Sequence, residues 1–139
     1  MDKAFFKIVI PNYNGMAYVR QCLDSIFSQT FKDFFVVFVD DQSTDLSYEF
    51  AKMYERKHPG RMKAIRLSEK RYAGGARNAG IDWPVKCEYL YFLDSDDMLA
   101  GKDSLRILQE NVEDKPDILL FSFNFLQSDG KYRSSIRSK

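Results

Sequence analysis

"YLYFLDSDDML", residues 89–99, runs five mostly apolar residues straight into three carboxylates, Asp94, Asp96 and Asp97, with Ser95 among them. The apolar run reads as a buried strand. Along a strand, side chains i and i+2 share a face, so Asp94 and Asp96 point together while Ser95 points away. Convergent carboxylates repel, and a cation, hydrogen bonds or open water must offset that repulsion; hard oxygen ligands of this kind suit Mg²⁺ or Mn²⁺. Asp-x-Asp alone is a weak signal. Its place at a strand end strengthens it, because ligands of open α/β sheets bind outside the carboxyl ends of the strands.

The rest of the chain repeats the pattern of a strand followed by a polar cluster. "FKIVIP" (6–11) is a short β-branched run stopped by Pro11, and Asn12, Tyr13 and Asn14 follow it. "AYVRQCLDSIFSQ" carries Val19, Cys22, Leu23, Ile26 and Phe27 on one helical face. "DFFVVFVDD" (33–41) is a second strand ending in Asp40 and Asp41. Thr44 and Asp45 are capping candidates for a second helix, whose apolar face is Leu46, Phe50, Met53 and Tyr54. "MKAIRL" (62–67) gives a third strand. Gly74 and Gly75 permit close packing or a tight helix entry, and Pro84 stops that helix after Trp83. The opening stretch is the fourth strand, Asp103 caps a further helix, and "DILLFSFNFLQ" (117–127) is a fifth strand before an Asp129-Gly130 turn. Alternating strands and helices predict a mostly parallel sheet with helices on both faces. Its strand ends then gather every polar cluster on one edge.

The totals agree with a single domain. The chain has 139 residues, 45% hydrophobic and 15% aromatic, enough to bury one sizeable core. With 21 basic and 20 acidic residues the charge is +1, which gives no electrostatic reason to expect nucleic acid as a partner. No run approaches the ~18 apolar residues of a membrane span, so a cytoplasmic location is expected. Cys22 and Cys87 read as buried or bystander thiols rather than a disulfide or a metal site. The lone His58, beside Pro59 and Gly60, reads as a solvated turn residue, Trp83 as core, and Asp40 as a loop support.

Taken in order and spacing, "IPNYNGMAYVRQCLDSIFSQTFKDFFVVFVDDQSTD", "GGARNAGI" and "YLYFLDSDD" resemble the nucleotide-binding half of glycosyltransferase family 2, inverting enzymes of GT-A fold that use nucleotide sugars. The likeness covers about residues 5–100. It implies a Rossmann-like GT-A fold and a donor site, with a UDP-sugar as donor and a saccharide or lipid-linked acceptor in cell-surface polysaccharide synthesis. Pro11 and Tyr13 would line the base, and Asp41 would accept a hydrogen bond from the uracil imide. Asp94 would lie near the ribose and share the metal, Mn²⁺ or Mg²⁺, with Asp96, whose cation bridges the diphosphate. Ser95 is counted with the nucleotide-binding residues, and Arg77 would stand close to the diphosphate or its acidic partners.

Two departures qualify the resemblance. Where the family often carries Asn and Gly, this chain has "SEKRYAGG", and at least one of Lys70 and Arg71 is expected to reach the diphosphate. Inverting transfer also needs a general base for the acceptor hydroxyl, which in the family lies well downstream of Asp-x-Asp; here the end, "DGKYRSSIRSK", has no acid beyond Asp129. Residues 1–127 therefore read as the donor-binding half of a longer domain, with the general base outside this chain, and 128–139 as a basic polar tail. The four basic residues from Lys131 to Lys139 could touch an anionic membrane surface, although a solvated tail is the simpler reading. The alternative function is a non-catalytic nucleotide-binding or regulatory module. A phosphoacceptor receiver domain would need its acidic pair after the first strand, and a nucleotidyltransferase would need a Gly-rich loop there; "PNYNGM" supplies neither.

Overall fold

The structure is a computed structural model that describes residues 2–118, 124–126 and 131–134. Its centre is a four-stranded parallel sheet of β1 (Lys3–Asn12), β2 (Phe34–Asp40), β3 (Met62–Arg66) and β4 (Lys86–Phe92), in the order β3-β2-β1-β4. α1 (Met16–Phe27) and α2 (Ser47–Lys57) lead from β1 to β2 and from β2 to β3; α3 (Tyr72–Asp82) leads from β3 back across to β4. Right-handed crossovers that travel in opposite directions along a sheet must lie on opposite faces. Accordingly α1 and α2 pack on one face, with Phe6, Ile8, Ile10, Phe34, Val36 and Phe38, while α3 packs on the other, with Phe35, Val37 and Val39. β2 is covered on both sides, which is why its residues run apolar without alternation and all are buried. α4 (Ser104–Glu110) adds Leu105 to the first face.

The chain reverses its direction of travel between β1 and β4, and there the strand order switches. The crevice outside the carboxyl ends of these two strands is the expected ligand position in an open α/β sheet. β1 runs on to Asn12, past the expected stop at Pro11, because Pro11 lies beyond the last β4 pairing, Val9 with Phe92. The missing N–H therefore breaks no ladder on that side.

α3 is held to β1 by two devices that periodicity does not reveal. Lys7 is buried, and its Nζ donates to the carbonyl oxygens of Gly80 (3.2 Å), Ile81 (2.7 Å) and Trp83 (2.8 Å), closing the C-terminus of α3. Burial lowers its pKa, against the opposing pull of Cys87 and Asp82. Beside it, a Cβ on Gly80 would stand 2.3 Å from Val9 Cγ1, so α3 approaches β1 as closely as it does only because Gly80 has no side chain. Gly80, rather than Gly74 or Gly75, is the glycine that this packing requires; nothing lies within 4 Å of a Cβ at Gly74, and at Gly75 the contact is the Arg71 side chain.

Four other expectations need correction. α2 buries Ser47, Ala51 and Tyr54 and leaves Leu46 exposed, because small residues let the helix sit close to the sheet and Ser47 is drawn into hydrogen bonds. β4 is not buried: it pairs only with β1 among the described residues, and Leu90 and Phe92 are exposed. Of the expected fifth strand, β5 (Asn124–Leu126) is described, and it pairs antiparallel with β6 (Tyr132–Ser134) instead of joining the parallel sheet; β6 falls within the expected tail. The Asp129-Gly130 turn, Arg137 and Lys139 lie outside the described residues. His58 stacks on Phe27 with ring centres 3.8 Å apart, so it is a packed residue rather than a solvated one.

Gly74 and Gly80, two of the three glycines of α3, predict opposite signs. Gly74→Ala is expected to stabilise by about 0.5–1 kcal/mol through helix propensity alone. Gly80→Ala makes the same local gain but overpacks against Val9 at a cost of about 1–3 kcal/mol, so its Tm should fall. Paired thermal melts measure both.

Candidate functional site

Pro11, Tyr13, Asp41, Lys70, Arg77, Asp94, Ser95 and Asp96 all line one cleft of about 420 Å³ at the β1/β4 switch point. Arg71 is not among the lining residues; its side chain pairs with Glu69 at 3.8 Å, and what it turns inward is its backbone N–H. Asn12, Asn14, Gly15, Tyr18 and Tyr72 line the cleft as well. Of these, Asn12 and Asn14 stood out in the sequence only as a polar cluster after a strand. Tyr18 and Tyr72 gave no signal.

The strand ends are tied together by buried polar side chains. Asp40, fully buried at the end of β2, accepts from Asn12 Nδ2 (2.9 Å), Ser43 Oγ (2.6 Å) and Arg66 Nε (3.0 Å). Asn12 Nδ2 also donates to Ser47 Oγ at 2.8 Å. Asp45 accepts from the backbone N–H groups of Met16 (3.0 Å) and Ser47 (3.0 Å), the first residues of α1 and α2, so one carboxylate satisfies both helix starts. Burial would raise its pKa, but the Ser47 hydroxyl, which also donates to Asp45, together with the Ser47 and Met16 N–H groups holds it below the usual carboxylate value. The residue immediately before α2 is Leu46, and Thr44 instead donates to Asn14 Oδ1, its N–H at 2.8 Å. Asp103 likewise spends its side chain elsewhere, on Thr30 Oγ1 at 2.6 Å, and makes no capping bond to α4.

Asp41 is the base-side carboxylate expected from the resemblance, and it is buried. Its two oxygens accept the backbone N–H groups of Arg71 and Tyr72, each at 2.7 Å, and Lys70 Nζ lies 3.0 Å from Oδ2. Burial alone would raise its pKa; the Arg71, Lys70 and Tyr72 hydrogen bonds and the Lys70 charge together lower it. Asp41 thus fixes the start of α3, and with two oxygens offering about four acceptor positions it retains capacity towards a ligand N–H.

The acidic end differs from the expected strand geometry. β4 stops at Phe92, and Asp94 to Asp97 form a turn closed by the Asp97 N–H on Asp94 O at 3.0 Å. The turn adds a third carboxylate: one ligand oxygen each of Asp94, Asp96 and Asp97 lie within 4.8 Å of one another. Mutual repulsion is visible in Asp97, whose pKa is raised first by burial and then by Asp96 and Asp94. The field reaches Cys22, whose thiol burial and the three carboxylates push up to about 12. Three exposed hard oxygen donors match the preference of Mg²⁺ or Mn²⁺, so the residues present fit such an ion. Arg77 forms an ion pair with Asp94 at 3.0 Å across the cleft side of the cluster. Ser95 does not point away: it is buried against Gly15, where a Cβ would stand 2.6 Å from Ser95 Oγ and 2.3 Å from Asn12 Oδ1.

Among known proteins, the model of glycosyl transferase family 2 matches residues 7–137. A poly(ribitol-phosphate) beta-glucosyltransferase of Bacillus spizizenii is 33% identical over 94% of this chain and 21% of its own length. The amylovoran biosynthesis glycosyltransferase AmsB of Erwinia amylovora is 35% identical over 95% of this chain and 45% of its own. The chain thus spans less than half of these relatives. Residues 1–349 of S. aureus TarS in complex with UDP-GlcNAc superpose with a TM-score of 0.70 at 29% identity, covering 78% of this chain and 31% of that TarS fragment. A Pyrobaculum calidifontis mannosyltransferase, at 22% identity and a TM-score of 0.73 over 81% of this chain and 33% of its own, shares the fold.

Because the folded-state pKa of Asp41 is lowered, its stabilising contribution is present above the ordinary carboxylate value of 3.8 and is lost as pH falls below it. Asp41→Asn is expected to lose about 1–3 kcal/mol at pH 7. Urea titrations at pH 7 and pH 3 should show that deficit shrinking at the lower pH.

Proposed function

The chain belongs to glycosyltransferase family 2, and from that membership we propose that it holds the donor of an inverting sugar transfer, a UDP-sugar, on a divalent cation. The observation that carries this reading is a cleft that joins an aromatic ring, a base-side carboxylate and two members of the acidic triplet, Asp94 and Asp96, at the switch point of the sheet. In support, TarS, at 28–30% identity, has been crystallised with UDP and with UDP-GlcNAc.

In this reading Tyr13 packs its ring on the base, beside Pro11, and Asp41 accepts the imide N–H. Asp94, Asp96 and Asp97 hold Mn²⁺ or Mg²⁺, with Asp94 also near the ribose and Ser95 at the floor between them. Cleavage of the bond from anomeric carbon to phosphate oxygen leaves negative charge on the departing diphosphate, and the cation, when bound, supplies opposite charge there. Arg77 and Lys70 supply the remaining positive charge. The exposed Arg77–Asp94 pair is worth only about 0–1 kcal/mol, so Arg77 exchanges one anionic partner for another at little cost. Inverting transfer also needs a general base for the acceptor hydroxyl, and no residue of the cleft is assigned that role. The acceptor is proposed to be a cell-surface polysaccharide or its lipid-linked precursor, since the relatives include enzymes named for poly(ribitol-phosphate) and amylovoran.

Calorimetric titration of UDP with and without Mn²⁺ tests the proposal. Binding is expected to strengthen with Mn²⁺, and Asp96→Ala should remove that gain, weakening binding by about tenfold or more. UDP binding that is indifferent to both Mn²⁺ and Asp96 would overturn the metal-held donor.

A further inference from the structure

Tyr72 is the first residue of α3 and stands at φ 63. A left-handed backbone is costly for a bulky side chain, and glycine would adopt it freely. What holds it is Asp41, whose two oxygens take the N–H groups of Arg71 and Tyr72 at 2.7 Å each. Strain of this kind persists where surrounding bonds over-determine it. Its product here is an aromatic ring, 70% exposed, presented to the cleft.

That ring faces a specific space. Lys70 Nζ lies 3.2 Å from the centre of the Tyr13 ring and 5.2 Å from the centre of the Tyr72 ring. The two ring centres therefore lie between about 2 and 8 Å apart, and the upper end of that range matches the ~7 Å, twice the carbon–carbon contact distance, that a planar ring touching both would need. Asp41 sits at the same place, its Oδ2 3.0 Å from the Lys70 ammonium.

We propose that Tyr13 and Tyr72 are the two walls of a slot for the nucleobase, and that the Lys70 ammonium fills this slot until a base displaces it. This rests on the donor-site reading and adds to it a specificity-determining residue. Stacking of a base on an aromatic ring outweighs an exposed cation–π contact, and the Asp41 oxygen that Lys70 gives up, 3.0 Å from its ammonium, is refilled by an N–H of the base; together these favour the exchange. The displaced ammonium remains within its side chain's reach of the cleft, where a diphosphate offers it a stronger partner.

Tyr72→Gly suits φ 63 and so tests the ring without burdening the fold. Titrations would compare UDP with pyrophosphate, both with Mn²⁺, in the unaltered chain, Tyr72→Gly and Tyr72→Phe. The expected result is UDP binding weakened about tenfold in Tyr72→Gly, pyrophosphate binding unchanged, a melting temperature equal to or above that of the unaltered chain, and most of the UDP affinity recovered in Tyr72→Phe. Equal UDP affinity in Tyr72→Gly and the unaltered chain would overturn the slot and leave the donor site standing. Equal weakening of UDP and pyrophosphate would also overturn it, by tracing the effect to the phosphates. No UDP binding by the unaltered chain would overturn the donor site, and the slot with it.

Discussion

A carboxylate with no exposure to water is tolerable only when its charge is matched and its acceptor positions are filled. Asp40 meets that condition by drawing in Arg66 from the end of β3, Asn12 from the end of β1 and Ser43 from the loop after β2. Three strand ends are thereby fixed to one point. The polar cluster that follows each strand starts from a set position, and the cleft inherits its shape from this knot rather than from its own surface residues.

The knot extends outward by single hydrogen bonds. Asn12 passes it to Ser47 at the start of α2, and Asp45 passes it on to Met16 at the start of α1. Asn12 spends its amide N–H groups on Asp40, Ser43 and Ser47, which turns its carbonyl oxygen towards Gly15, with no hydrogen-bond partner among the described residues. Asp41, next in sequence, does for α3 what Asp45 does for α1 and α2. Adjacent acids thus serve different ends: Asp40 closes the sheet, while Asp41 aims the helix that carries Tyr72 and Arg77.

The strands, their order of polar ends and most of the cleft residues were legible in the sequence because a parallel sheet writes itself as apolar runs stopped by polar residues. The apolar face of α1 was legible for the same reason, since helix period and burial agree there. α2 was misread because its buried face is set by Ser47 and Ala51, whose value is small size and hydrogen bonding rather than hydrophobicity. The third carboxylate, Asp97, was in view, but strand alternation gave it no place; a turn did. Tyr72, Lys7 and the backbone N–H by which Arg71 meets Asp41 were out of reach of periodicity altogether, since each depends on a partner 30 or more residues away in sequence.

Lys7 also bears on the order in which the molecule assembles. Its three carbonyl partners lie 73 to 76 residues further along the chain, so securing the end of α3 closes a loop that contains β2 and β3. Contacts of such sequence separation carry the largest loop-closure cost and tend to form late. An interaction absent from the folding transition state acts mainly on the rate of unfolding. The buried ammonium is thus a latch on the native state, governing how long the cleft stays assembled more than how quickly it forms.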